Sequence, residues 1–98
     1  MIVDRRTYDI RFGHHNRAVE LVKAELAAAQ EAGSLDTYRV YVSQFGHFSQ
    51  VAVEFEFETM ADQQAFWAGW QPKNPGFVDE WFDELNRGEI DISIWYLV

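Results

Sequence analysis

The chain has 98 residues, 48% hydrophobic and 24% charged, which is ordinary globular usage and excludes a disordered chain. It has no cysteine, which excludes a disulfide framework, a thiolate metal site and a thiol nucleophile. Sixteen acidic residues against eight basic ones leave a net charge of -8, the wrong sign for nucleic acid or an anionic membrane surface as partner.

Residues 2–12 are rich in β-formers and predict a first strand, with Ile2, Tyr8, Ile10 and Phe12 on its apolar face. Gly13 breaks it. From His15 to Ala32 the period becomes helical, with Val19, Val22, Leu26 and Ala29 recurring at three- and four-residue steps. Asn16 or the preceding turn is the expected cap, and Gly33 stands where a C′ glycine belongs. Residues 37–43 alternate, with Tyr38, Val40 and Val42 on one side, and Phe45-Gly46-His47 is the expected turn. Residues 48–58 alternate most clearly, Val51, Val53, Phe55 and Phe57 against Glu54, Glu56 and Glu58. Thr59 with Asp62 three residues on forms a loose capping box for a short helix through Trp70. Asn74-Pro75 predicts a second helical piece with proline at its first helical position, striped by Phe77, Val78, Trp81, Phe82 and Leu85 and ended by Gly88. Residues 90–98 alternate again through Ile90, Ile92, Ile94, Tyr96 and Val98.

The order is β-α-β-β-α-β with a broken second helix, the pattern of a ferredoxin-like α+β fold. Its expected form is a four-stranded antiparallel sheet in the order 4-1-3-2, with both helices on one face and a single domain over 1–98. No long apolar run exists, and the opening MIVDRRTYD lacks a signal-peptide core, so a cytoplasmic protein is expected.

The apolar strand faces are expected to meet the helices. The other sheet face then carries Arg5, Thr7, Asp9 and Arg11, followed by Thr37, Arg39, Tyr41 and Ser43 from the second strand. Ala52, Glu54, Glu56 and Glu58 come from the third strand, and Asp91, Ser93, Trp95 and Leu97 from the fourth. In the 4-1-3-2 order the glutamates lie between two arginine-bearing strands, a favourable cross-strand arrangement. One reading of this face is a solvated surface with weak ion pairs. The other closes two such faces together in a homodimer, with Val3, Tyr41, Trp95 and Leu97 covered.

Several short motifs resemble one family. Arg6-Thr7-Tyr8 followed by Gly13 and an Ala/Glu/Leu helix is similar to the opening of NIPSNAP-like proteins. Phe45-Gly46, then Ser49-Gln50-Val51, then Thr59-Met60-Ala61-Asp62 resembles that family's central hairpin and the helix after it. The resemblance runs over nearly the whole chain and rests on order and spacing. It implies a dimeric α+β barrel: a homodimer whose two sheets enclose an interior, with helices outside. Relatives in that wider superfamily include cofactor-independent monooxygenases, haem-degrading oxygenases, isomerases and stress-induced proteins, so the resemblance implies no single chemistry. The haem-degrading members use an Asn, Trp and His constellation that this chain does not present at alignable positions.

His14, His15 and His47 are the only histidines. The proposed topology brings the end of the first strand, the central hairpin and the start of the fourth strand, with Glu89 and Asp91, to one end of the sheet. A cluster there is an acid/base or metal candidate, but the spacing fits no metal motif, and solvated loop histidines are the plainer reading. Glu54, Glu56 and Glu58 alternate on one strand face, neighbours about 7 Å apart, and are acid/base candidates only if burial separates their pKa values; the plainer reading is a charged face balanced by Arg5, Arg11 and Arg39. Trp67, Trp70 and Trp81 with Phe66, Phe77 and Phe82 read as core. Trp95 alternates onto the polar face, as an interface anchor or a pocket wall. Ser43, Ser49 and Ser93 lack a nucleophile-elbow context.

The expected function is a homodimer that binds a small polar or aromatic molecule inside the barrel, acting on it by proton abstraction or oxygen addition without a tightly bound cofactor. Arg5, Arg39 and Glu54 or Glu56 are the expected orienting groups, Tyr41 and Trp95 the wall, and His14 or His47 the acid/base at the mouth. No metal ligands are assigned. The alternative is a non-catalytic homodimerisation module.

Overall fold

A computed structural model describes residues 1–43 and 49–98. The elements are β1 (Ile2–Ile10), α1 (His15–Glu31), β2 (Tyr38–Val42), β3 (Gln50–Phe57), α2 (Met60–Ala68), α3 (Asp79–Leu85) and β4 (Asn86–Tyr96). They build one antiparallel sheet in the order β2-β3-β1-β4, which is 4-1-3-2 read from the other edge. The register sets Arg5 opposite Glu54 on β3 and Ser93 on β4, and Arg39 opposite Glu54 from the other side. The anticipated turn Phe45-Gly46-His47 lies outside the described residues.

α1 buries Ala18, Leu21, Val22, Leu26 and Ala29, the three- and four-residue spacing of an amphipathic helix. Val19 is only partly covered. Gly33, at φ 78°, follows the capping Ala32 and takes the left-handed conformation that ends many helices. At the other end the cap position belongs to His14 rather than Asn16, which is already inside the helix, and no side chain caps it. Thr59 does cap α2: its Oγ1 accepts from Asp62 N at 3.2 Å.

Pro75 precedes the last helix instead of starting it, because a turn closed by Phe77 N donating to Asn74 O at 3.3 Å intervenes. α3 is wound as a π-helix and runs directly into β4 at Asn86. Gly88 therefore does not end the helix. At φ 102° it sits inside β4, where Tyr8 pairs with Ile90 but Ile10 pairs with Asn86. Two steps on β1 span four on β4, so the glycine serves a bulge, the other setting that favours positive φ.

The core lies between the helices and the central strands β1 and β3, with Tyr8, Ile10, Val51, Val53, Phe55, Phe77, Trp81 and Leu85 buried. Phe12 is not in it. β1 ends at Ile10, and Phe12 falls in the following turn with 85% of its surface exposed. The apolar row of β4 shares the helix side of the sheet, as its register with Ile2, Asp4, Arg6 and Tyr8 requires. The helices do not cover it, however: Ile92 is 51% exposed, and Ile90, Ile94 and Tyr96 are exposed as well. Phe82, expected in the core, is exposed on α3.

Candidate functional site

The sheet face turned away from the helices carries a network of paired side chains. β3 lies between β1 and β2, and strand alternation turns Glu54 and Glu56 outward while Val53 and Phe55 go to the core. Glu54 is shared: Arg5 Nη1 is 3.6 Å from its Oε2, and Tyr41 Oη donates to its Oε1 at 3.0 Å. Arg5 also lies over the Tyr41 ring, 5.5 Å from the centroid. Two residues along β3, Arg39 Nη1 donates to Glu56 Oε1. The hydrogen bond to Glu54 raises the Tyr41 phenol above its ordinary value, and the bond to Glu56 does the same for the Arg39 guanidinium. Both shifts favour the protonated form, so Tyr41 serves as a neutral donor and Arg39 as a cation.

Beside these pairs is a hollow of about 150 Å³ lined by Arg5, Thr7, Tyr41, Val42, Ser43, Gln50 and Ala52. Its far end is tied by backbone and side-chain bonds: Ser43 N donates to Gln50 O at 3.1 Å, and Gln50 N to Ser43 Oγ at 3.0 Å. Gln50 Nε2 reaches Asp9 Oδ1 at 2.9 Å. On β4, Trp95 is 62% exposed on this face, and its Nε1 donates to Ser93 Oγ at 3.0 Å.

Arg5, Arg39, Tyr41, Glu54 and Glu56 are thus brought together, and Trp95 stands on the same face two strands from Glu54. Arg11 and Glu58 are not part of the network, since they flank opposite ends of the β1–β3 ladder. His14 sits exposed at the α1 cap, and neither the ion pairs nor the lining of the hollow include it. His15 Nδ1 lies 3.4 Å from Ser49 Oγ. His47 and the side chain of Glu89 lie outside the described residues. Among the described residues no three His, Asp or Glu side chains converge as a metal site, and no helix is long and apolar enough to cross a membrane.

The helix side of the sheet holds a second polar cluster that sequence reasoning missed. Asp4 is fully buried between Ile2 and Tyr8. Its Oδ1 accepts from Arg6 Nε at 3.2 Å; its Oδ2 accepts from Trp67 Nε1 at 2.8 Å, Gln63 Nε2 at 3.0 Å and Arg6 Nη2 at 3.4 Å. Arg6 is stacked on Trp67, 3.8 Å from the ring centroid. Glu25, also buried, accepts from Lys73 N at 2.6 Å, Asn74 N at 2.9 Å and Asn74 Nδ2 at 3.2 Å. The signal was present: alternation from Ile2 to Ile10 places Asp4 and Arg6 on the buried face, and Glu25 falls within the apolar stripe of α1.

Comparison with known proteins places this geometry in a family. The NIPSNAP family model matches residues 3–91. A crystal structure of a NIPSNAP family protein from Agrobacterium tumefaciens superposes with a TM-score of 0.81 at 23% identity, covering 99% of this chain and 92% of that one. An uncharacterised NIPSNAP domain protein from Burkholderia xenovorans gives a TM-score of 0.77 at 14% identity, covering 100% of this chain and 95% of that one. An antibiotic biosynthesis monooxygenase gives a TM-score of 0.71 at 11% identity, covering 100% and 99%. At these identities the likeness is one of fold. A search of curated proteins finds no match.

Proposed function

The chain belongs to the NIPSNAP family, and on that premise we propose that it works as a homodimer whose two outward sheet faces close on each other around a small polar molecule. The observation that carries this reading is the shared Glu54, engaged by Arg5 and Tyr41 next to the Arg39–Glu56 pair on a face that also exposes Trp95 and Leu97. Charges already paired within one chain lose less on being taken out of water than unpaired ones. Trp95 and the 71% exposed Leu97 supply apolar area that favours closure. The hollow beside Arg5 and Tyr41 is open on one side in a single chain, and a second sheet is the natural cover. Beside Val42 and Ala52, the polar part of its lining, a guanidinium, a phenol, hydroxyls and an amide, suits a small polar ligand with several oxygens.

The support is for binding more than for turnover, because the groups on this face engage one another. Thermal-shift screening with small polar metabolites tests the reading, since a ligand of the native state raises apparent stability. The expected result is a hit whose shift is lost in Arg5→Ala and Tyr41→Phe. No hit, with the dimer intact, selects the non-catalytic homodimerisation module. A hit that survives both variants places the ligand elsewhere.

A further inference from the structure

We infer that the chain has a second binding site, on the opposite side of the sheet, for a neutral single-ring aromatic molecule carrying one hydrogen-bond acceptor. A cavity of about 110 Å³ lies between the sheet and the helices. Its walls are chiefly aromatic, from Tyr8, Phe55, Trp67, Trp70, Phe77 and Trp81. Phe77 and Trp81 stack at 5.9 Å with planes 10° apart, and Phe55 meets Trp67 edge-on at 5.5 Å, so the rings hold one another in place. Phe82 and Ile90, both exposed, form the rim, so the cavity reaches solvent beside the uncovered row of β4.

Protein interiors rarely leave a void larger than a water molecule, and this one has a polar wall. Arg6 lines it, with Nε and Nη2 committed to Asp4 and the guanidinium carbon 3.8 Å from the Trp67 centroid. Its Nη1 makes no hydrogen bond among the described residues. The other charged residue on the wall, Glu25, has both oxygens occupied by the Lys73 and Asn74 donors. Arg6 therefore brings uncommitted N–H donors to the wall of an aromatic slot. A flat ring with an acceptor oxygen matches that combination of rings and donor.

Charge decides the class of acceptor. Asp4 already neutralises Arg6, and the carboxylate of Glu25 lies in the same wall. A ligand carboxylate gains no net counter-charge and meets a second anion, so a carbonyl or phenol oxygen is favoured over an acid. The volume is below that of the roughly 150 Å³ apolar cavity known to accept benzene, so the cavity holds no more than one ring, part of which lies at the open rim beside Phe82 and Ile90. This site lies across the sheet from Arg5 and Glu54, so it stands or falls separately from the dimer.

The test titrates acetophenone, toluene and benzoate into the ¹⁵N-labelled protein and follows the four indole N–H signals. The expected result is a saturable shift of Trp67, Trp70 and Trp81 with acetophenone, while Trp95 stays still. Toluene and benzoate bind more weakly, by roughly five- to tenfold, the worth of one hydrogen bond. Arg6→Lys keeps a partner for Asp4, and it weakens acetophenone toward the toluene value. Ile90→Trp, at the exposed rim, blocks all three probes without touching the core. Absence of saturable shifts, or a Trp95 shift equal to the others, overturns the site. Benzoate binding tighter than acetophenone, or indifference of acetophenone to Arg6→Lys, overturns the role assigned to Arg6.

Discussion

Asp4 and Arg6, two residues apart on β1, form an ion pair inside the protein, with Arg6 Nε 3.2 Å from Asp4 Oδ1 and the carboxylate fully buried. The pair is reached from α2 by Gln63 and Trp67, so one carboxylate joins the central strand to the helical layer. Such a group is costly to bury and more costly to orphan.

Asp4→Ala leaves Arg6, Gln63 and Trp67 without their common acceptor. It is expected to lower unfolding free energy by about 3–5 kcal/mol, as breaking a buried pair does. The double variant Asp4→Leu/Arg6→Met removes both charges and should cost distinctly less than Asp4→Ala alone. Urea unfolding of both variants checks the order; equal losses would mean that the pair is dispensable and only packing matters.

Glu25 acts as a clamp on the segment that links α2 to α3, through the Lys73 and Asn74 backbone N–H groups. Glu25→Ala is expected to destabilise the fold by about 2–3 kcal/mol, the range for buried donors deprived of a charged acceptor. It should also open residues 70–76 to limited proteolysis. Trypsin cleavage after Lys73, faster in the variant than in the parent, is the direct measurement.

The ion pair of Arg17 with Glu80, at 2.6 and 2.8 Å, ties α1 to α3. The hydrogen bond from Arg17 holds the Glu80 carboxyl below its ordinary value. A carboxyl depressed on folding adds stability above its unfolded value, about 4.3, and loses it as pH falls through the lower native value. Glu80→Gln should therefore lower Tm slightly at pH 7, the pair being exposed. Its deficit should shrink to nothing in acid below the native value. A constant difference in Tm across that window would show that the charge is irrelevant.

Arg39→Glu and Glu56→Arg each place like charges together on the outward face, and the double variant restores the pair in reverse. Each single change is expected to raise the dimer dissociation constant about tenfold or more, with recovery in the double. Sedimentation at several concentrations reads all three. Failure of the double to recover would separate this pair from assembly.

Much of this architecture is legible in local pattern. Alternation of Val51, Val53 and Phe55 against Glu54 and Glu56 sets the faces of β3, and the strand order then brings Arg5 and Arg39 to either side of the glutamates. Thr59 and Gly33 mark helix ends because their chemistry there is specific. Gly88 misleads because positive φ serves a helix stop and a strand bulge equally. Asp4, Arg6 and Glu25 are not recognised where charge is assigned to solvent; Asp4 and Glu25 are buried, and Arg6 half-buried beside Asp4, because partners distant in sequence, Trp67 and Lys73–Asn74, satisfy the carboxylates. The aromatic cavity is likewise invisible in sequence, since the same rings packed slightly closer would make a solid core.

The most direct test of the account is the solution mass, by size exclusion with light scattering, in low and high salt. The proposal predicts a dimer of twice 11.5 kDa in both, because closure rests on Trp95 and Leu97 as well as on ion pairs that salt screens. A monomer of 11.5 kDa at all concentrations would leave the face in water and contradict the enclosed site.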